Sequence, residues 1–141
     1  MKKCNYCSQN KENIWIKKFK YWNFRVCHNQ HTLGTLAVVL KTHKEFFSEL
    51  DENQVKELLK IIKIGQKILT RQFKPDWFNV QQNGNWERHL HVLLIPRYKK
   101  SRLFSGKIFI DKTFGNPVLY KNKGESSTLK QKLAKVLKNH N

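Results

Sequence analysis

The sequence predicts an α+β fold: an antiparallel sheet of about five strands, one long helix and a C-terminal helix. Three observations carry this. Five short segments are rich in aromatic and β-branched residues, as strands are. One long stretch repeats its apolar residues with helical period. The strand-like segments cluster around that helix instead of alternating with helices one by one, which argues for an antiparallel sheet.

Ile14 to Lys18 and Tyr21 to Val26 read as the first two strands, and Thr35 to Lys41 (TLAVVLK) has the apolar centre of a buried one. Asp51 then stands as an N-cap with Gln54 in capping-box position. Val55, Leu58, Leu59, Ile62, Leu69 and Phe73 follow on one wide stripe, which Ile61, Ile64 and Ile68 broaden. That helix is expected to be largely sandwiched, and Pro75 stops it. Trp77 to Gln81 and His89 to Ile95 read as two more strands, joined by the turn-like Asn83-Gly84-Asn85. Residues 97–124 are basic and contain Gly106, Gly115 and Pro117, so they are expected to be mostly loop. Ser127 is placed to cap a last helix with Leu129, Leu133, Val136 and Leu137 on one face.

A length of 141 residues fits a single domain over 1–141, with a polar Cys-x-x-Cys segment at 1–12 and a basic C-terminal helix at 125–141. Lys and Arg number 28 against 10 Asp and Glu, a formal net charge of +18, so the surface should gather anions. Polyphosphates, nucleic acid and acidic lipid all satisfy that field. Disorder is excluded by 39% apolar and 12% aromatic residues. The longest apolar runs, Leu36 to Leu40 and Val92 to Ile95, fall far short of the roughly 20 residues of a membrane span. The N-terminus has two lysines but no apolar stretch after them. Cysteines at 4, 7 and 27 do not form a disulfide framework, so a reducing cytoplasm is the simplest home.

The chemistry concentrates in Arg88-His89-Leu90-His91-Val92-Leu93-Leu94-Ile95-Pro96-Arg97. On a strand His89, His91 and Leu93 share one face, with successive members about 7 Å apart, while Leu90, Val92 and Leu94 face the other way. Two imidazoles on one rigid face suit metal binding or nucleophilic catalysis, and also suit a half-exposed strand with no chemistry. Cys4-Asn5-Tyr6-Cys7 has the spacing of half a zinc site. No second Cys-x-x-Cys follows, so the other ligands would come from His28, His31, His43, His89 and His91. Free thiols on a frayed terminus and a redox pair are the alternatives.

His89-Leu90-His91-Val92-Leu93-Leu94-Ile95-Pro96-Arg97-Tyr98 resembles the signature of the histidine triad (HIT) superfamily, His-φ-His-φ-His-φ-φ with φ apolar, here running on into Pro-Arg-Tyr. Leu33 to His43 resembles the superfamily's buried strand leading into Lys-x-His. Asn79, Gly84 and Asn85 are similar to the Phe-Asn and Gly-Asn of the diadenosine tetraphosphate hydrolase-like branch. Phe104 to Asp111 followed by Gly115 is similar to that branch after Pro-Arg-Tyr, so the resemblance spans about residues 4–118.

The resemblance implies a HIT-like fold and a nucleotide-phosphate hydrolase or nucleotidyl transferase. Its substrate would be a dinucleoside polyphosphate or nucleoside phosphate, and its covalent nucleophile His91. By the same resemblance Cys4, Cys7, His43 and His89 would hold a structural zinc ion, and Asn85 and Asn79 would contact the nucleotide. The third motif histidine is replaced by Leu93, which cannot donate a hydrogen bond. The alternative is therefore a weak or inactive HIT-like protein that binds nucleotides or RNA. Trp86 and Glu87 also depart from the residues usual there. Nucleic acid held by the basic surface and a homodimer are the further partners that such a protein could have. Arg97, Lys99, Lys100, Arg102 and Lys107 follow the histidine strand with no acid among them and are expected to gather polyphosphate near His91.

Overall fold

The computed structural model describes residues 4–8, 14–121 and 123–140. The remainder of the 1–12 segment lies outside the described residues. Five antiparallel strands form one sheet in the order β1-β2-β3-β5-β4. They are β1 (Trp15–Lys18), β2 (Trp22–Val26), β3 (Leu36–Leu40), β4 (Trp77–Gln81) and β5 (His91–Arg97). Helix α1 (Glu52–Phe73) links the third strand to the fourth, and α2 (Ser127–Lys138) closes the chain. The expected α+β architecture is the one observed.

Alternation along the strands sorts residues between two faces. Trp22, Phe24, Val26, Leu36, Val38, Leu40, Leu90, Val92 and Leu94 are buried in the main core with Leu58, Ile61, Ile68 and Leu69 of α1 and Leu129, Leu133 and Leu137 of α2. The opposite face carries a smaller apolar cluster of Ala37, Val39, Leu93, Ile95 and Val118. β3 sits at the centre of the sheet and is buried on both faces, which explains its unbroken LAVVL run. Helix α1 comes close to the sheet at Gly65, where an added Cβ would lie 2.6 Å from Leu94 Cδ2.

Asp51 caps α1: its side chain accepts from the Gln54 amide at 2.8 Å, and Gln54 Oε1 accepts from the Asp51 amide. The expectation of a largely sandwiched helix is corrected on one flank. Val55 and Leu59 are exposed, because the sheet covers only the stripe through Leu58, Ile61, Gly65 and Ile68. The cap of α2 is Ser126, one residue before the expected Ser127, and its hydroxyl accepts from the Leu129 amide.

Residues 97–124 are not mostly loop at their start. Arg102–Phe104 (β6) and Lys107–Phe109 (β7) pair as a hairpin. Ser105 and Gly106 make its two-residue turn, both with positive φ (52° and 76°), the conformation that matches strand twist in tight hairpins. The basic composition masked that signal. Phe104 packs edge-on against Phe73 at 5.7 Å, and Arg102 donates to the carbonyls of Phe73 and Lys74 at the C-terminal end of α1.

Candidate functional site

Two groups of side chains meet at the N-terminal end of β5. The first is made of sulfur and imidazole. Cys4 and Cys7 lie on a turn closed by the Ser8 amide donating to the Cys4 carbonyl. His43 lies just beyond β3, and His89, expected from sequence to open the strand, lies two residues before β5 begins at His91. The two approaches are stitched together: the Leu90 amide donates to the Lys44 carbonyl, and the Leu40 amide to the Leu90 carbonyl.

His89 Nδ1 is 3.4 Å from each cysteine sulfur and 3.2 Å from His43 Nδ1, which is 3.3 Å from Cys7 Sγ. All four donor atoms lie within 4.8 Å of one another. A tetrahedral ion bonded at about 2.0–2.3 Å would place its ligands roughly 3.3–3.8 Å apart, so the spacing fits. The donor chemistry fits as well. His89 Nε2 lies 2.7 Å from the Leu40 carbonyl, which can only accept, so Nε2 carries the proton and Nδ1 keeps its lone pair for the cluster. Burial lowers the His89 pKa and favours that neutral form. Cys4, Cys7, His43 and His89 thus form a group able to hold a metal ion.

The second group is built around His91. Its Nδ1 lies 2.6 Å from the His89 carbonyl, so Nδ1 donates and the unprotonated Nε2 is left for chemistry. Burial is the largest influence on its pKa and pushes it down, which favours the neutral ring. Tyr6, between the two cysteines, stacks on His91 with ring centres 4.6 Å apart. The Arg25 guanidinium carbon is 5.3 Å from the Tyr6 ring centre.

His91 lines a cleft of about 490 Å³ with Arg25, Asn85, Trp86, Leu93 and Lys121. Asn85 and Trp86 ride on the loop after β4, and Trp86 is 91% exposed at the rim. Glu87 ties this loop to the cysteine turn by accepting from the Asn5 amide and from Asn5 Nδ2 at 3.2 and 2.9 Å. His31 forms part of the wall, its Nδ1 accepting from the Lys121 amide. Burial lowers its pKa from the ordinary 6.5 to about 4.

The structure thus brings Cys4, Cys7, His43 and His89 together and sets His91 and Asn85 beside them. Asn79 is elsewhere. Its Oδ1 accepts from Arg97 Nη1 at 2.6 Å, on a buried guanidinium that also holds Asp111. The basic segment 97–107 does not line the cleft either. Arg97 is buried in that ion pair, Arg102 binds the end of α1, and Lys107 pairs with Glu125. The cleft's positive groups come from Arg25 and Lys121 instead. Sequence reasoning missed Tyr6 and Arg25, although strand alternation against the buried Trp22, Phe24 and Val26 was enough to put Arg25 on the histidine face.

Compared by sequence, the chain matches no family model and no curated protein. Compared by structure, it is similar to histidine triad proteins. One is a hypothetical histidine triad nucleotide-binding protein from Sulfolobus tokodaii, with a TM-score of 0.75 at 20% identity over 97% of this chain and 91% of that one. A diadenosine triphosphate hydrolase from Plasmodium falciparum, solved with cyclomarin A, gives 0.69 at 15% identity over 93% and 77%. A zinc-bound histidine triad family protein from Mycobacterium smegmatis gives 0.66 at 13% identity over 91% and 83%.

Proposed function

We propose, from the histidine triad fold that this chain shares, that it is a nucleotide-phosphate hydrolase or nucleotidyl transferase acting through a covalent nucleotidyl-histidine at His91. The observation that carries this reading is the His91 ring itself. Burial favours its neutral form, the His89 carbonyl holds it through Nδ1, and among the described residues no hydrogen bond occupies Nε2 beside a cleft of about 490 Å³.

In the first step the Nε2 lone pair attacks the α-phosphorus of the nucleotide. A P–N bond forms, the P–O bond to the leaving phosphate breaks, and the electron pair departs on that oxygen. The Nδ1 proton stays on the ring, where the His89 carbonyl stabilises the positive charge the ring acquires. In the second step water or another acceptor hydroxyl attacks phosphorus, the P–N bond breaks, and the acceptor's proton passes to solvent. Asn85, which lines the same cleft, would hold the nucleotide at its wall.

Cys4, Cys7, His43 and His89 would hold zinc, with two thiolates and two neutral imidazoles giving a neutral, closed centre. Such an ion would supply structural strength, pinning the N-terminal turn, and so Tyr6, against the strand that carries His91. Protein purified without chelator should contain about one zinc per chain, and a fully folded, metal-free protein would count against this part. Incubation with a dinucleoside polyphosphate tests the function. Turnover lost in His91→Ala supports the covalent route, turnover unchanged in that variant refutes it, and nucleotide binding without turnover identifies a binding protein instead.

A further inference from the structure

Resting on that reading, the cleft raises a question of charge. Attack at an α-phosphate piles negative charge on the phosphoryl oxygens and the leaving oxygen, and a positive group must meet it. On β5 the next position on the His91 face is Leu93, an apolar side chain packed with Ala37, Val39, Ile95 and Val118. Leu93 offers neither charge nor proton.

The register of the sheet shows what stands in its row. Leu93 pairs with Ala37 on β3, and Ala37 pairs with Arg25 on β2. Paired residues point to the same face, so Arg25 shares the histidine face, two strand spacings (roughly 10 Å) from Leu93. The intervening alanine leaves room above it for a long side chain. Arg25 lines the same cleft as His91, and its guanidinium lies by Tyr6, the ring stacked on His91. The one other Lys or Arg lining that cleft among the described residues, Lys121, comes from the loop before α2.

We infer that Arg25 supplies the phosphate-binding charge of this cleft in place of a residue at position 93, and that this restricts the enzyme to substrates with anionic phosphate leaving groups. The restriction follows from acid–base chemistry. A guanidinium neutralises charge and donates hydrogen bonds but does not surrender its proton near neutral pH. When a phosphoanhydride is cleaved, the leaving phosphate or nucleotide departs as a stable anion and needs no proton. When a phosphoramidate is cleaved, the P–N bond to the amine breaks and the amine must take up a proton as it leaves. Arg25 serves the first reaction and not the second.

The test measures covalent adduct formation at His91 with a dinucleoside polyphosphate and with adenosine 5′-phosphoramidate, using the full, metal-loaded chain. The wild-type protein should react with the polyphosphate at least ~100-fold faster, the scale on which one transition-state donor acts. Arg25→Gln should lower the polyphosphate rate about 100- to 1,000-fold, and Arg25→Lys should retain part of it. Adding Leu93→His to Arg25→Gln should restore the polyphosphate rate at least tenfold and raise the phosphoramidate rate. The comparison of substrates on the wild-type protein needs no variant, so a misfolded Arg25→Gln does not spare the inference. An adduct that forms at the wild-type rate in folded Arg25→Gln overturns it, as does equal reaction with both substrates. No adduct from either substrate on the wild-type protein overturns the reading of His91 first, and the role of Arg25 with it.

Discussion

Replacing Asp111 with asparagine removes the carboxylate that pairs with the buried Arg97 guanidinium. Arg97 and Asp111 each keep only 2% of their side-chain exposure, and they meet through two bonds, Nε to Oδ2 at 2.7 Å and Nη2 to Oδ1 at 3.0 Å. Breaking a buried pair by removing one partner costs about 3–5 kcal/mol, because the other charge stays buried. Arg97 would keep neutral acceptors in Asn79 Oδ1 and the carbonyls of Thr113 and Asn116, so the lower end of that range applies, about 3 kcal/mol. For a chain of this length that lowers the melting temperature by roughly 10 °C. Urea unfolding at pH 7 should show a reduced midpoint with an unchanged slope. The pH dependence checks the cause. Burial alone would raise the Asp111 pKa, but the Arg97 fork and the amides of Tyr98 and Thr113 outweigh it and hold the pKa below the ordinary carboxylate value. The ion pair's stability is therefore full above the unfolded carboxyl's pKa and is lost as pH falls through the folded one. Asp111→Asn should lack that acid-sensitive component. A loss below about 1 kcal/mol at pH 7, with the acid slope unchanged, would refute the reasoning.

Other perturbations separate structure from chemistry. Asn79→Ala should cost stability by taking an acceptor from Arg97, with little change in KM, whereas Asn85→Ala should raise KM and leave the urea midpoint almost unchanged; steady-state kinetics and denaturation on both variants decide it. Gly34→Ala should destabilise by about 1–3 kcal/mol in urea melts, since φ is +89° and the new Cβ would lie 2.9 Å from Leu69 Cδ2. His31 is buried neutral with its pKa lowered to about 4, so the unfolded chain binds more protons between about 6.5 and 4 and stability should fall as pH drops through that window. His31→Gln, which can still accept from the Lys121 amide, should flatten the fall in urea midpoint over the same window; an unchanged slope would assign the acid sensitivity elsewhere.

The readable parts of the sequence were those where one period dominates. The LAVVL run, the Asp51–Gln54 capping box and the alternation around His91 each follow from local geometry, and each stands in the structure where it was expected. The Cys4, Cys7, His43 and His89 grouping came from resemblance, since spacing alone could not choose among the histidines. What escaped depended on long-range pairing. Arg97 looked like part of a basic loop, yet its side chain is buried against Asp111, fourteen residues on, because the turn after β7 folds back over β5. The β6–β7 hairpin was hidden by its lysines and arginines, and Leu59 by a helix whose sheet-facing stripe is narrower than its apolar pattern. Tyr6 belongs to the site only through the long-range fold of the cysteine turn, which lays its ring on His91.

The most direct measurement mixes the protein with a dinucleoside polyphosphate, quenches the reaction within its first turnover and locates any added mass on the chain. A covalent route through His91 requires one nucleoside monophosphate on the peptide bearing His91, formed and discharged at rates that accommodate steady-state turnover and absent from His91→Ala. Turnover without that adduct, or turnover that survives His91→Ala, would contradict it.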